Sequence, residues 1–342
     1  MITVVSPKHA LHNPPHEFYD GRLIPPYESP ARVDMIVAAI ERAGLGPLLP
    51  PREFGVAPLH AVHESAYLEY LESAYERWVA AGGNPAAVLP STLAVRWMSQ
   101  PCLHPLVAPG YYCFDLSAPI AAGTYQAARA SADTALTGAA LLLEGQPLAY
   151  ALCRPPGHHA GTDLYGGYCY LNNAAIAAAY LAAPGERVAI LDIDFHHGNG
   201  TQQIFYQRAD VLFVSIHADP AREYPYFSGY AGERGAGAGL GYTLNFPLEA
   251  RVDDVRYLAV LDRALAAIAE HAPRFLVLSA GFDTYGGDPI GDLALTSAAY
   301  PAIGRRVAAL GLPTLVVQEG GYAVEALGEN AAGLLRGLAP GA

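Results

Sequence analysis

Short apolar and β-branched runs alternate along the chain with longer stretches whose apolar positions recur at helical spacing. The short runs, at 3–5, 148–153, 188–193, 211–216, 275–279 and 314–317, predict strands. The periodic stretches predict helices over 30–42, 64–80, 123–143, 171–181, 253–271 and 297–310. Ser29 followed by Pro30 predicts an N-cap with proline at the first helical position. Strand alternating with helix implies an α/β fold: an open, mostly parallel sheet with helices on both faces and its loops at the carboxyl ends of the strands. Two segments break the pattern. The glycine-rich stretch 229–241 must be loop, and 84–114 has prolines, no Asp or Glu and no clear period. Unpatterned segments that long are uncommon unless they line a site or an interface, so 84–114 is expected to be a lid or a dimerisation arm, with a disordered insert as the plainer alternative.

Composition narrows the class. With 52% hydrophobic and 15% charged residues the chain can bury a large core, and its 342 residues suit one large α/β domain. A formal net charge of −12 repels phosphate backbones and anionic headgroups, so no nucleic acid and no membrane surface is expected as partner, and a cationic ligand fits better. Acidity that serves solubility alone is the plainer reading. Cys102, Cys113, Cys153 and Cys169 show no CxxC spacing, so reduced thiols are expected. The first residues read as a strand rather than a signal peptide, and no apolar run reaches the roughly 18 residues of a membrane span. A cytoplasmic protein is the expectation.

The unusual polar residues fall where predicted strands end, which is where open α/β sheets bind ligands. Five strand ends carry them: His158 and His159; Asp192, Asp194, His196 and Asn199; Ser215 and His217; Asp283 and Asp288; Glu319 and Tyr322. Asp192, Asp194 and His196 alternate as a strand runs out and could share one face. Two of them with Asp283 would give an imidazole and two carboxylates with a position left open, the donor set of catalytic zinc. A metal-free ion-pair cluster is the alternative, opposed by the cost of burying carboxylates this dense. His158 and His159, after the stiff Pro-Pro-Gly turn, suit acid and base work near pH 7, with Asp192 and Asn199 as candidate partners that fix their tautomers. Tyr322 follows two glycines, and its hydroxyl could donate to an oxyanion.

Together, Arg154-Pro-Pro-Gly-His-His-Ala160, the run from Asp192 to Gln202, Gly281-Phe-Asp283 with Gly287-Asp288-Pro289, and Glu319-Gly-Gly-Tyr322 resemble the motifs of the histone deacetylase family, over nearly the whole chain. The resemblance implies the family's arginase-like α/β fold. It implies catalytic zinc, or iron(II), on Asp194, His196 and Asp283, with Tyr322 polarising an acetyl carbonyl. His159 would be the proton shuttle, paired to Asn199, and His158 its electrostatic partner, paired to Asp192. It further implies a structural potassium site at Asp192, Asp194, His196, Ser215 and Ile216, and an acetyl tunnel lined by Gly167 and Tyr168, with Tyr224 where the family often has phenylalanine.

Within the family, Glu17, Tyr19 and the insert at 84–114 resemble the acetylpolyamine amidohydrolases. That implies a homodimer, a narrow entrance and a small cationic acetylated amine as substrate, such as acetylputrescine, acetylcadaverine or acetylspermidine. Here the insert has no acid before Asp115, which leaves cation recognition to Glu17, with Asp115 as a second candidate. The alternatives are a broader acetyl-lysine or small-amide deacetylase, a binuclear ureohydrolase on the same fold, and a binding module without activity.

Overall fold

The computed structural model describes residues 1–183 and 185–339. Ten strands run as β1 (Ile2–Val4), β2 (Glu17–Tyr19), β3 (Arg22–Ile24), β4 (Leu48–Leu49), β5 (Leu148–Ala151), β6 (Val188–Asp192), β7 (Val211–Ala218), β8 (Thr243–Leu248), β9 (Phe275–Ala280) and β10 (Thr314–Gln318). The helices are α1 (Ala31–Ala43), α2 (Ala57–His60), α3 (Ser65–Ala80), α4 (Pro109–Tyr112), α5 (Thr124–Leu143), α6 (Asn173–Ala182), α7 (Asn199–Phe205), α8 (Asp254–His271), α9 (Ala299–Ala308) and α10 (Val324–Leu338). Eight strands form one open sheet in the order β4-β1-β5-β10-β9-β6-β7-β8, every pairing parallel. The six strands expected from sequence are all present, with ends shifted by one or two residues.

The period-2 rule decides what each strand residue packs against. On β6, Val188 and Ile190 join one apolar cluster while Ala189 and Leu191 join another; on β10, Leu315 and Val317 part from Val316 in the same way. The first cluster takes in the apolar sides of α3, α5 and α6, the second those of α1, α8, α9 and α10. Strands buried on both faces read as continuous apolar runs, which is why they stood out. Asn172 caps α6 by accepting from the Ala175 N–H at 2.9 Å, and Asp253 caps α8 by accepting from Arg256 at 3.0 Å. Ser29 does not cap α1: the cap position is Pro30 with no side-chain bond, and only the Ser29 carbonyl contributes, accepting from the Arg32 N–H. No described helix is long and apolar enough to cross a membrane.

The central strands β5, β10, β9, β6 and β7 are neighbours, and these are the five whose carboxyl ends carry the unusual polar residues. Their side chains therefore converge on one edge of the molecule. The segment from 84 to 114 leaves the sheet with only isolated bridges, exposing Trp97 and Leu103 at 83% and 80%. It then returns through α4 to pack Tyr112 on Tyr70, their rings stacked at 4.3 Å.

Helices α9 and α10 meet through glycine. A Cβ added to Gly304 would lie 2.3 Å from the Leu334 carbonyl oxygen, and one added to Gly337 would lie 2.3 Å from that of Pro301. Backbone cannot swing aside as a side chain can, so the helices would have to part. Gly304→Ala is expected to cost about 1–3 kcal/mol of stability, as overpacked cores do, and denaturant unfolding of the variant beside the parent measures it.

Candidate active site

Asp192 ends β6, and the chain beyond it folds back on its own carboxylates. Asp192 Oδ1 accepts from the Asp194 N–H at 3.1 Å, and Asp194 Oδ1 accepts from the His196 N–H at 2.9 Å. Asp283, after β9, accepts from the Phe195 N–H at 2.9 Å. Asp194 Oδ2 accepts from the Gly320 N–H at 2.8 Å, which joins the loops after β6 and β10. The result is a converging set: ligand atoms of Asp194, His196 and Asp283 all lie within 4.8 Å of one another, with His196 Nδ1 3.4 Å from Asp194 and 3.1 Å from Asp283. A Cβ on Gly281 would stand 2.0 Å from the Asp194 carboxylate, so glycine is required for this approach.

The electrostatics fit a cation. Asp192, Asp194 and Asp283 have no exposed surface. Burial and the neighbouring Asp194 push Asp283 up to about 7. Two carboxylates and one imidazole nitrogen facing a common point form a hard, three-donor set for a divalent ion with room for further ligands.

The histidine pair is divided by its partners. His159 Nδ1 lies 2.7 Å from Asn199 Oδ1, an acceptor, so Nδ1 carries the hydrogen and Nε2 keeps its lone pair. His158 Nδ1 lies 3.0 Å from Asp192, and its Nε2 3.7 Å from Asp194. Burial alone would lower both rings. Asp194 and Asp192 outweigh it at His158 and raise that ring to about 10, whereas burial and the neighbouring His158 and His196 hold His159 well below the usual range.

A cavity of about 340 Å³ stands over these groups, lined by His159, His196, Gly167, Tyr168, Tyr224 and Tyr322, with Tyr19, Asp20, Glu223 and Tyr226 among its other residues. His158 does not line it. A wider, shallower cleft of about 560 Å³ near His63 and Arg208 holds none of the converging donors. Gly167 and Tyr168 are the two central residues of a tight hairpin closed by reciprocal Gly166 and Cys169 bonds, with φ of +53° and +66°. Two consecutive left-handed residues are the signature of a type I′ turn, strained at the non-glycine position. The Tyr168 ring meets Tyr322 edge-on at 5.6 Å.

Glu17 departs from the expected place. It is 1% exposed, outside the cavity lining, and accepts the Tyr168 hydroxyl at 2.9 Å from behind the wall. Burial pushes it up to about 7. The acids of the cavity are Asp20, Asp115 and Glu223. Asp20 was legible: Asp20-Gly21, between β2 and β3, is a strong hairpin signal, and both residues have positive φ. Ser215 lies beside Asp192 in register and hydrogen-bonds His217 at 2.7 Å.

Tyr322 is held through its backbone. Arg32 Nε donates to the Gly321 carbonyl at 2.7 Å and Nη2 to that of Glu319 at 2.6 Å, while its guanidinium lies over the Tyr322 ring at 4.9 Å. Asp288 Oδ2 accepts from the Tyr322 and Ala323 N–H groups at 2.7 and 3.0 Å. Arg32 is fixed in turn by Glu28 at 2.8 Å, and Glu28 also takes Arg154 at 2.8 Å.

The comparisons agree with this geometry. The histone deacetylase domain model matches residues 26–338. The chain is 50% identical to acetylpolyamine amidohydrolase 1 of Pseudomonas aeruginosa, over 98% of both chains, and 45% identical to the acetylpolyamine amidohydrolase of Mycoplana ramosa, over 99% of this chain and 100% of that one. A solved acetylpolyamine aminohydrolase from Burkholderia pseudomallei superposes with a TM-score of 0.93 at 44% identity, over 98% of both chains. The fold and site thus define an amidohydrolase of the arginase/deacetylase architecture. The chain belongs to the histone deacetylase family.

Glu28 links the catalytic edge to the rest of the protein, and its titration is measurable. Burial would raise its carboxyl, but Arg154 and Arg32 outweigh burial and hold it at about 2, below the ordinary value of 4.5. A depressed carboxylate stabilises fully above its unfolded value, and that stability is lost as pH falls from about 4.5 toward 2. Glu28→Gln is expected to cost about 3–5 kcal/mol near neutrality, the range for breaking a buried ion pair, and the gap should narrow across that acid window. Unfolding measured as a function of pH tests both.

Proposed function

We propose that this enzyme hydrolyses the acetamide bond of N-acetylated polyamines, such as acetylputrescine, acetylcadaverine and acetylspermidine, releasing acetate and the free amine. The observation that carries this reading is the convergence of Asp194, His196 and Asp283 beneath one aromatic-walled cavity that also contains His159 and Tyr322. Asp194, His196 and Asp283 would hold zinc, or iron(II), which supplies Lewis acidity toward the acetyl carbonyl and a water. His159 Nε2 accepts a proton from water as the water oxygen adds to the acetyl carbon. The Tyr322 hydroxyl donates to the carbonyl oxygen as negative charge grows there. His159 then gives its proton to the amine nitrogen as the C–N bond breaks. Asn199 keeps His159 in the tautomer this requires, and His158, bound to Asp192, supplies positive charge beneath it.

Substrate choice is read from the walls and the mouth. Tyr168 and Tyr224 with Gly167 suit a slender alkyl chain. Asp20 and Glu223, beside Tyr19 and Tyr226, suit ammonium groups, and Glu17 serves by bracing Tyr168. The relatives named for acetylpolyamines support this class. A structural potassium ion at Asp192, Asp194, His196, Ser215 and Ile216 belongs to the same reading, as does a homodimer through 84–114, supported by the exposed Trp97 and Leu103.

Turnover of acetylputrescine, acetylspermidine and an acetyl-lysine peptide by the zinc-loaded protein is the primary test. Polyamine turnover should dominate and vanish on chelation; preference for the peptide would sink the substrate class, and activity surviving metal removal would sink the chemistry. Tyr322→Phe is expected to retain metal while losing about 100-fold or more in kcat, the scale for one oxyanion donor, checked by metal content beside kinetics.

A further inference from the structure

We propose that Asp115 and Tyr224 form a strut that sets the width of the tunnel and so restricts turnover to amides of unbranched amines, an inference that rests on the amide-hydrolase reading above. Asp115 stands where the long insert ends, and its carboxylate gathers donors from three loops. Oδ2 accepts the Tyr224 hydroxyl at 2.6 Å, the Gly167 N–H at 3.0 Å and the Ser117 hydroxyl at 3.0 Å, and Oδ1 accepts the Ser117 N–H at 3.1 Å. Gly167 and Tyr224 come from different loops and both line the cavity, so a single oxygen ties two parts of its lining to one point.

A carboxylate with four donors has little capacity left for a substrate ammonium, which makes its role mechanical. Bonds to an ionised oxygen are short and strong, and a half-buried carboxylate that loses a donor is costly to leave unpaired, so the residues it joins resist separation. The hydroxyl is what the strut needs: an aromatic ring without it could still stack on Phe114, as Tyr224 does at 6.3 Å, and face His159, as it does at 5.0 Å. The space is already tight, since a Cβ on Gly167 would meet His159 at 2.3 Å and the Tyr224 hydroxyl at 2.9 Å. A carbon branch beside the amide nitrogen would have to fit between these walls. Asp115 and Tyr224 thus act as positioning residues for the tunnel and determine specificity through its width.

The test uses full-length, metal-loaded enzyme as parent, Tyr224→Phe, Asp115→Asn and the double variant. Each is given an N-acetyl diamine and its isomer branched at the carbon bonded to the amide nitrogen. The parent should favour the unbranched amide, and that preference in kcat/KM should fall at least fivefold in Tyr224→Phe. If the two residues act through one bond, the double variant should change the preference no more than the stronger single one. An unchanged preference in Tyr224→Phe, or effects that multiply in the double variant, overturns the strut; because Tyr224→Phe removes one oxygen from a wall residue, it decides the matter even if Asp115→Asn fails to fold. A parent that turns over neither amide overturns the functional reading itself, a result distinct from an unchanged ratio.

Discussion

Four carboxylates with no exposure, Asp192, Asp194, Asp283 and Glu319, end neighbouring strands of one sheet, and the surrounding structure is arranged to make that burial tolerable. Each is met by backbone N–H groups: Asp192 by Asp194, Asp194 by His196 and Gly320, Asp283 by Phe195, Glu319 by Gly157 and His158. Such donors stabilise the ionised form without neutralising it. The loops must therefore bend tightly enough to aim amides at their own acids, which accounts for the glycines at 281 and 320, where a Cβ would strike the carboxylates. The remaining negative charge is a driving force for cation binding. Burying these carboxylates and leaving them ready for a cation are in this sense one problem.

The same logic extends outward. The loop bearing Tyr322 is gripped at its carbonyls by Arg32 and at its amides by Asp288 and Asp194, so the tyrosine is aimed by contacts that leave its hydroxyl out of the bracing. Arg32 lies on α1, far back in sequence, and is itself fully buried; it depends on Glu28, which also holds Arg154 at the start of the histidine loop. One carboxylate thus couples the loop carrying Tyr322 to the loop carrying His158 and His159. Preorganisation of this kind is what electrostatic catalysis requires, since donors that need not reorient cost nothing at the moment of reaction.

The parallel sheet was legible because both-face burial writes strands as unbroken apolar runs, and the site because its polar residues follow those runs directly. Less of the edges could be read. β8, whose Thr243–Leu248 run alternates and contains Pro247, has a half-exposed face, and β4 is two residues long. Helix α10 has an apolar stripe, but Gly328, Gly333 and Gly337 lower its helix propensity and blur the helical signal. The β2–β3 hairpin carried its own Asp-Gly signal. Glu17 was misplaced for a different reason. Sequence shows that an acid sits near the entrance but not which way an edge hairpin turns it, and here it faces inward beneath Tyr168.

That inversion changes how charge selects the substrate. A carboxylate held near the neutral range by burial, already accepting a tyrosine hydroxyl and lying outside the cavity, is a poor ammonium anchor; removing it would be felt first through the strained Tyr168 turn. The acids open to a ligand are Asp20 and Glu223, among tyrosines at the mouth, where a cation keeps much of its hydration while gaining carboxylate and aromatic partners. Placing attraction at the mouth and constraint in the throat separates the two tasks. On the proposed function, charge would gather cationic amines from solution, aided by the protein's net −12, and the walls would then select by shape which of them reach His159 and Tyr322. On that proposal a cation without a slender acylated arm would be drawn in and released, and a slender neutral amide would still react once it arrived. Discrimination among acetylated amines would accordingly divide into a charge-dependent encounter and a shape-dependent passage, the second set by Gly167, Tyr168 and Tyr224, which line the cavity.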